Sequence, residues 1–272
     1  NQWTMGDSLT FKGGGELDNG MSVAVKYEYD DDEGDLNGGG SDQPGFDSHS
    51  VTLSSAEMGS ITFAGHGGKT NMDNMDDKTP NAFEESWDGV SEADEETLVN
   101  GITGNNSFFY KAPSMGGLTL SVAYVPQGET ATPNGSYIDF GVVAKPEAID
   151  GLEVGVAFGE TEETTGTTVD EQAIYAKYTL GSISAGINMN ESDTIDFTSF
   201  GISFAVTDDI SVSYSASESE IAGANDQEAS GVSASFTSGG MTVAGMINTV
   251  DNASFEAAND TEGYEINFSF AF

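Results

Sequence analysis

The sequence predicts an all-β protein, a transmembrane antiparallel β-barrel, on three observations. Apolar and polar residues alternate at every second position through most of the 272 residues, as they do in strands with one apolar and one polar face. Short turns and long acidic loops follow one another in alternation between these strands. The apolar faces carry no charged residue, as a lipid-facing surface requires, because a charge there costs about 2–4 kcal/mol near the bilayer midplane.

The composition excludes several classes of protein. The formal net charge is −39, and all 7 basic residues are lysines, so nucleic acid is excluded as a partner because phosphate binding needs clustered Lys and Arg. The acidic balance suits a saline or cation-rich exterior, or a path that favours cations. No run of 18 apolar residues exists, which excludes helical membrane spans, whereas a barrel strand needs only about 9–11 alternating residues.

Two hairpins begin the chain. The first turns at 18–20, where Asp, Asn and Gly tolerate a positive φ angle, and the second turns at 57–59. The acidic, glycine-rich stretch 30–46 between them predicts a long loop. The apolar positions of the four strands are Leu9, Phe11 and Gly13, then Met21, Val23, Val25, Tyr27 and Tyr29, then Val51 and Leu53, and finally Ile61 and Phe63.

Residues 67–106 form the longest interruption of the alternation. They contain 10 carboxylates, and only Lys69 and Lys78 are basic. Pro80, followed by Phe83 and Trp87 four residues apart, predicts a short helix over 80–87. Loops of this length are uncommon unless they have a function, so this segment is a candidate for the functional site.

Hairpins resume at Ser107 and continue to the end of the sequence. Their apolar positions, strand by strand, are Phe108 and Tyr110; Leu118, Leu120, Val122 and Tyr124; Ile138, Phe140 and Val142; Leu152, Val154, Val156 and Phe158; Ile174, Ala176, Tyr178 and Leu180; Ile183, Ala185, Ile187 and Met189; Phe200, Ile202, Phe204 and Val206; Ile210, Val212 and Tyr214; Val232, Ala234 and Phe236; Met241, Val243 and Ile247; and every second residue from Tyr264. This gives about 15 strands.

The connections between these strands indicate a barrel. The long loops are predicted at 30–46, 67–106, 126–136, 159–171, 190–196, 218–228 and 250–262, all at one end of the sheet. Soluble Greek-key sandwiches do not sort their connections in this way, whereas transmembrane barrels do.

A charge-free face would also suit a buried protein core. The alternative is therefore a secreted or surface-exposed acidic β-rich structural or adhesive protein, whose strands pack against each other. The strand charges, for example Lys26, Glu28 and Lys177, fall almost wholly on the opposite face. That polar face is common to the strands and wide enough to line a lumen, which favours the barrel.

Over its whole length the chain resembles the trimeric general diffusion porins of Gram-negative outer membranes. Segment 67–106 stands where that family has its constriction loop, and the terminal pattern resembles the signal by which such barrels are recognised for assembly. The signal positions are Tyr264, Ile266, Phe268, Phe270 and Phe272. The resemblance implies one domain over 1–272 and a barrel of about 16 strands with its long third loop folded into the pore.

The resemblance also implies partners, location and function. A homotrimer would lie in outer-membrane lipid after insertion by the barrel-assembly machinery, with its loops facing outside and its C-terminus at the periplasmic side. It would form a water-filled channel for passive diffusion of small hydrophilic solutes and ions, without enzyme activity or a required cofactor. No nucleophile or phosphate-loop motif is present, and His49 and His66 stand alone. A substrate-specific outer-membrane channel of the same fold is left open.

Family barrels have an even number of strands, with both termini on the turn side. Here the first strand would run inward from the end that carries the long loops. Because an open sheet edge cannot face lipid, we expect one further strand to precede Asn1.

The resemblance implies a constriction with acidic residues on the loop and basic residues on the opposite wall. The loop side is Asp73, Asp76, Asp77, Glu84, Glu85, Asp88, Glu92 and Asp94, and the wall side is Lys12, Lys26, Lys111 and Lys177. Carboxylate rings with few opposing cations favour cations, so we expect a cation-leaning channel. The acidic runs could be solvated surface, or Asp73, Asp76 and Asp77 could bind Ca²⁺, although they lack EF-hand spacing.

Overall fold

In the computed structural model, residues 3, 5, 8–30, 45–88, 99, 101, 105–126, 134–163 and 166–271 are described. They form one antiparallel sheet of 15 strands, in which hydrogen-bonded neighbours are always consecutive along the chain. The strands are β1 (Leu9–Glu16), β2 (Ser22–Asp30), β3 (Gly45–Ser55), β4 (Gly59–His66), β5 (Ser107–Lys111), β6 (Leu118–Val125), β7 (Asn134–Ala144), β8 (Leu152–Glu163), β9 (Thr168–Leu180), β10 (Ile183–Ser192), β11 (Ile195–Ala205), β12 (Ile210–Ile221), β13 (Gln227–Ser238), β14 (Met241–Asp251) and β15 (Thr261–Phe270).

Helical structure is nearly absent from these residues. A single 3₁₀ turn, Ala253–Phe255, follows β14. Within the part of the chain that the structure describes, no helix is both long and apolar enough to cross a bilayer.

The exposure of the two faces of the sheet is the reverse of that in a soluble protein. On β12 the apolar Val212 and Tyr214 are exposed, whereas Ser213 and Ser215, which alternate with them, are buried. On β15, Phe270 is 61% exposed. The predicted apolar face is thus confirmed as an outer surface, and over the described residues no second layer of protein covers it.

Trp3, which precedes β1, lies beside the last strand. The rings of Trp3 and Phe268 have centroids 6.4 Å apart. The chain that leads into one edge of the sheet therefore contacts the strand at the other edge, which is the proximity that a closed cylinder requires.

Three of the predicted long loops are much shorter than expected. The structure has connections at 164–167, 193–194 and 222–226 where the sequence predicted 159–171, 190–196 and 218–228, because the flanking strands are longer than predicted. At these ends the pairs remain in register even where both residues are acidic, as in Asp196 opposite Glu220. Backbone pairing does not need an apolar face, so hydrophobic alternation marks the lipid-facing band rather than the end of the strand.

Candidate functional site

Segment 67–106 connects β4 to β5, and its described part 67–88 packs on the polar face of the sheet. Its first contact is with Asp139 on β7, whose side chain is completely buried. Oδ2 of Asp139 accepts hydrogen bonds from the backbone N–H of Asn71 (2.6 Å) and Met72 (3.0 Å), and Oδ1 accepts one from Asn71 Nδ2 (2.8 Å). The Ala123 N–H and the Tyr137 hydroxyl complete the set, each at 3.0 Å. One carboxylate thus satisfies five donors from the segment and the wall.

The middle of the segment is held by two asparagines of β10. The amide Nδ2 of Asn188 donates to the carbonyl oxygens of Met75 (2.9 Å) and Asp76 (3.1 Å). Asn190 Nδ2 donates to the same Asp76 carbonyl at 2.9 Å. Because these contacts use the backbone of the segment, they fix its path without engaging its acidic side chains.

The end of the described segment is held by β12, β13 and β14 through small polar side chains. Three serine hydroxyls accept hydrogen bonds from backbone N–H groups of the segment, and one asparagine side chain donates a hydrogen bond to a backbone carbonyl of the segment. The pairs are Ala82 N to Ser213 Oγ (2.9 Å), Phe83 N to Ser233 Oγ (3.1 Å), Ser86 N to Ser215 Oγ (2.9 Å) and Asn248 Nδ2 to Ser86 O (2.9 Å).

The helix predicted over 80–87 is wrong. This stretch consists of bends and turns. The backbone N–H groups of Ala82, Phe83 and Ser86 donate to serine hydroxyls of the wall. They are therefore not available to carbonyl groups one turn earlier, as an α-helix would need. The i, i+4 spacing of Phe83 and Trp87 had suggested a helix, but Trp87 instead packs on the wall.

Apolar side chains reinforce both ends of the docked segment. The first cluster contains Met72, Met75 and Val99 from the segment with Val125, Tyr137, Ala157, Ala173 and Tyr175 from the wall. The second contains Trp87 with Phe197, Ala229, Val250 and Ala253. The Trp87 and Phe197 rings meet edge to face with centroids 5.4 Å apart. The packing of Met72, Met75 and Trp87 on the wall could not be predicted from the sequence, because single methionines and one tryptophan in a loop produce no periodic signal.

Two glycines of the wall make room for the segment. A Cβ at Gly186 would lie 2.9 Å from Cδ of Pro80, and one at Gly201 would lie 2.8 Å from Cβ of Thr79. Both distances are shorter than a side chain can make without movement of its neighbour. The close approach of the segment at β10 and β11 thus depends on the absence of side chains at these two positions.

The predicted loop-side acids within 67–88 lie on this docked segment. Lys69 Nζ donates to Asp73 Oδ1 at 3.2 Å, and Asn81 Nδ2 donates to Glu85 Oε1 at 2.9 Å. Burial raises the pKa of Asp76 and of Asp77 to about 6, and the charges of neighbouring carboxylates add to this. Burial and the charge of Asp77 raise the pKa of Glu85 to about 7.

Glu84 and Asp88 continue the acidic surface towards Trp87. Burial raises the pKa of Glu84, and the charges of Glu85, Asp88 and Glu265 raise it further. Among the described residues, ligand atoms of Glu84, Glu85 and Asp88 lie within 4.8 Å of one another, whereas the Ca²⁺ set named from the sequence does not form such a group. The predicted Glu92 and Asp94 lie outside the described residues.

Two of the predicted wall lysines lie opposite each other on β1 and β2. Lys12 and Lys26 are partners in the register of this strand pair, and both belong to the polar face. The contacts of segment 67–88 described above fall on β6–β14, so the two lysines lie on a part of the wall that these contacts do not reach. Lys26 Nζ forms an ion pair with Glu28 at 2.7 Å.

The other two wall lysines lie further along the sheet. Lys177 of β9 is opposite Glu153 of β8, and Glu153 also pairs with Lys145 at 2.7 Å. Lys111 is the last residue of β5, at the turn end. The predicted basic side is thus spread over four strands and is partly neutralised.

The predicted assembly positions form one exposed row on β15. Tyr264, Ile266, Phe268 and Phe270 are each at least 51% exposed on the apolar face. Phe272 lies outside the described residues.

Known structures share this fold. The structure of Salmonella typhi OmpF in complex with daunomycin has a TM-score of 0.72 at 14% identity, covering 96% of this chain and 89% of that chain. A variant of the Rh. blastica porin has a TM-score of 0.71 at 17% identity, with 97% and 89% covered. An anion-selective porin from Comamonas acidovorans has a TM-score of 0.69 at 15% identity, with the same coverage. No curated protein matches the sequence.

The family assignment rests on the sequence itself. The family model described as Gram-negative porin matches residues 1–272. Porins are channels rather than enzymes, and the alternative of an adhesive protein with strands packed against each other fits neither this match nor the uncovered apolar face. The chain therefore belongs to the Gram-negative porin family and is an outer-membrane channel for passive diffusion.

Proposed function

We propose that this porin prefers cations among the small hydrophilic solutes and ions that it passes, and that segment 67–106 forms its constriction. The observation that carries the proposal is the charge of the docked segment. Its described part, 67–88, holds 6 carboxylates against 2 lysines, and its backbone is fixed to the polar face of the sheet by the contacts with β7, β10 and β12–β14.

The basic side of the lumen does not balance this charge. Of the 7 lysines in the chain, Lys26, Lys69 and Lys145 each form an ion pair with a carboxylate. A unit charge roughly 5 Å from an ion in water contributes about 0.8 kcal/mol, or about a fourfold change in local ion concentration. Several uncompensated carboxylates along one path therefore favour cations. The fold alone does not decide this preference, since the Comamonas acidovorans porin of similar fold is described as anion-selective.

Reversal potentials in planar bilayers under a KCl gradient test this proposal. We expect K⁺ to be preferred over Cl⁻, and we expect the double variant Asp77→Asn, Glu85→Gln to reduce the preference severalfold. The matched control is Asp208→Asn, which removes an exposed carboxylate from the turn between β11 and β12. A wild-type channel that prefers Cl⁻ would refute the proposal.

We extend the proposal to the assembly of the channel and to its orientation in the membrane. The channel works as a homotrimer, with the long connections at the outer surface and the C-terminus on the periplasmic side, and the barrel-assembly machinery reads the exposed row of β15. Oligomers that dissociate only on heating in detergent would support the trimer. Ca²⁺ binding at Asp73, Asp76 and Asp77 stays a prediction.

A further inference from the structure

Glu28 of β2 is the centre of a hydrogen-bonded network on β1–β3. The described contacts of segment 67–88 do not reach this part of the wall. Its Oε2 accepts from Lys26 Nζ at 2.7 Å and from Ser48 Oγ at 2.9 Å. Its Oε1 accepts from Thr10 Oγ1 at 3.1 Å. Lys26 Nζ also donates to Ser48 Oγ at 3.3 Å. The network joins β1, β2 and β3 and holds the carboxylate against the ammonium group of Lys26.

This network changes the charge of the wall that would oppose the acidic segment. Lys12 and Lys26 are the inward lysines of β1 and β2 and are opposite each other in register. Without Glu28 they would form a doubly positive patch. The Lys26–Glu28 ion pair has no net charge, and the field of a close pair falls off faster with distance than that of a single charge. Only one net positive charge then remains at this position.

We propose that Glu28 is a specificity-determining residue of the channel, which cancels the charge of Lys26 on the wall and so strengthens the preference for cations. The proposal rests on the proposed function, since it concerns the ion preference of the same lumen. Isolated surface ion pairs are often loose. Here hydroxyl groups from both neighbouring strands fix the carboxylate, and the Glu28 side chain is only 22% exposed.

The test is a set of variants measured by reversal potential under a KCl gradient. Glu28→Gln keeps the shape and the hydroxyl contacts but leaves Lys26 uncompensated. We expect it to lower the K⁺/Cl⁻ permeability ratio about sixfold, because one unit charge roughly 8 Å from the ion path in water changes the local concentrations of K⁺ and Cl⁻ by about 2.4-fold each, in opposite directions. Lys26→Gln leaves Glu28 uncompensated, and we expect it to raise the ratio by a similar factor. The double variant should return to the wild-type ratio.

The control is Glu57→Gln, which removes an exposed carboxylate from the turn between β3 and β4 and should not change the ratio. A Glu28→Gln channel with an unchanged or higher ratio would overturn the proposal. Single variants that both shift the ratio in the same direction would also overturn it, because removal of a negative charge and removal of a positive charge must have opposite effects on the ratio. The wild-type ratio alone tests the proposed function, whereas the shifts relative to wild type test Glu28, so the two failures are distinguishable.

Discussion

Asp139→Ala should release segment 67–106 from the wall and leave the sheet assembled. The substitution removes an acceptor for five donors, two of them backbone N–H groups of the segment. Each buried donor that is left without a partner costs about 1–3 kcal/mol, and several are lost at once. The strands themselves are paired by backbone hydrogen bonds that do not involve this side chain, so assembly in the membrane is retained.

Asp139→Asn should have a similar effect, although it changes the volume very little. Both carboxylate oxygens accept hydrogen bonds, Oδ1 from Asn71 and Ala123 and Oδ2 from Asn71, Met72 and Tyr137. Whichever oxygen becomes an amide NH₂ group would face donors instead of acceptors. This variant therefore distinguishes the loss of the acceptor from the opening of a cavity.

Single-channel conductance and limited proteolysis measure the release of the segment. We expect both Asp139 variants to show a larger, noisier conductance and faster cleavage within 67–106 than the wild type. Asp196→Ala is the matched control, since Asp196 is an exposed carboxylate on β11. Unchanged conductance together with unchanged cleavage would show that Asp139 is not needed to hold the segment on the wall.

Cation preference should decline between pH 8 and pH 5, well above the range in which ordinary carboxylates titrate. Burial raises the pKa of Asp76 and Asp77 to about 6 and that of Glu85 to about 7, whereas exposed Asp and Glu titrate near about 4. These three groups are charged at pH 8 and mostly neutral at pH 5. The lumen therefore loses negative charge as the pH falls through 7 and 6.

The same groups make docking of the segment depend on pH in the opposite sense. A carboxyl group whose pKa is raised on folding favours the folded state fully below its unfolded pKa, near about 4, and loses that contribution as the pH rises through 6 and 7. The segment should thus be held more firmly at pH 5 than at pH 8. The charges of Lys69 and Lys78 act against the rise at Asp76, and that of Lys78 acts against it at Asp77.

Reversal potentials measured from pH 8 to pH 4 give the pH at which the cation preference has fallen by half. They also test which carboxylates cause the fall. The wild type should show a midpoint between pH 6 and pH 7, and Asp77→Asn with Glu85→Gln should flatten the curve in that range. Asp208→Asn should leave the midpoint in place. A preference that stays constant down to pH 5 would show that these carboxylates do not control the ion path.

Some features of this protein follow from local sequence patterns, whereas others depend on residues that are far apart in the chain. The alternation in β12 predicts which side of Val212 and Tyr214 faces outward, because successive residues of a strand point to opposite faces wherever that strand lies. The bounds of the long segment, 67–106, were also predictable, since alternation ends at His66 and resumes at Ser107. The junction of β10 and β11 was not, because β10 ends on the polar Glu191 and Ser192, and the apolar residues that begin β11, Ile195 and Phe197, fall on the opposite face from Phe200 and so break the alternation.

The sequence by itself thus determined the fold class, the lipid-facing side of each strand and the bounds of the long acidic segment, all of which follow from composition and period-2 spacing. The tertiary structure alone decided how that segment is held and which charges are cancelled. Asn71 meets Asp139 across 68 residues, and Ala82 meets Ser213 across 131. Glu28 and Lys26 are close in sequence, but the hydroxyl of Ser48 that holds them comes from another strand. Such contacts depend on which strands lie beside each other, and no local pattern in the chain encodes the position of a side chain that far away.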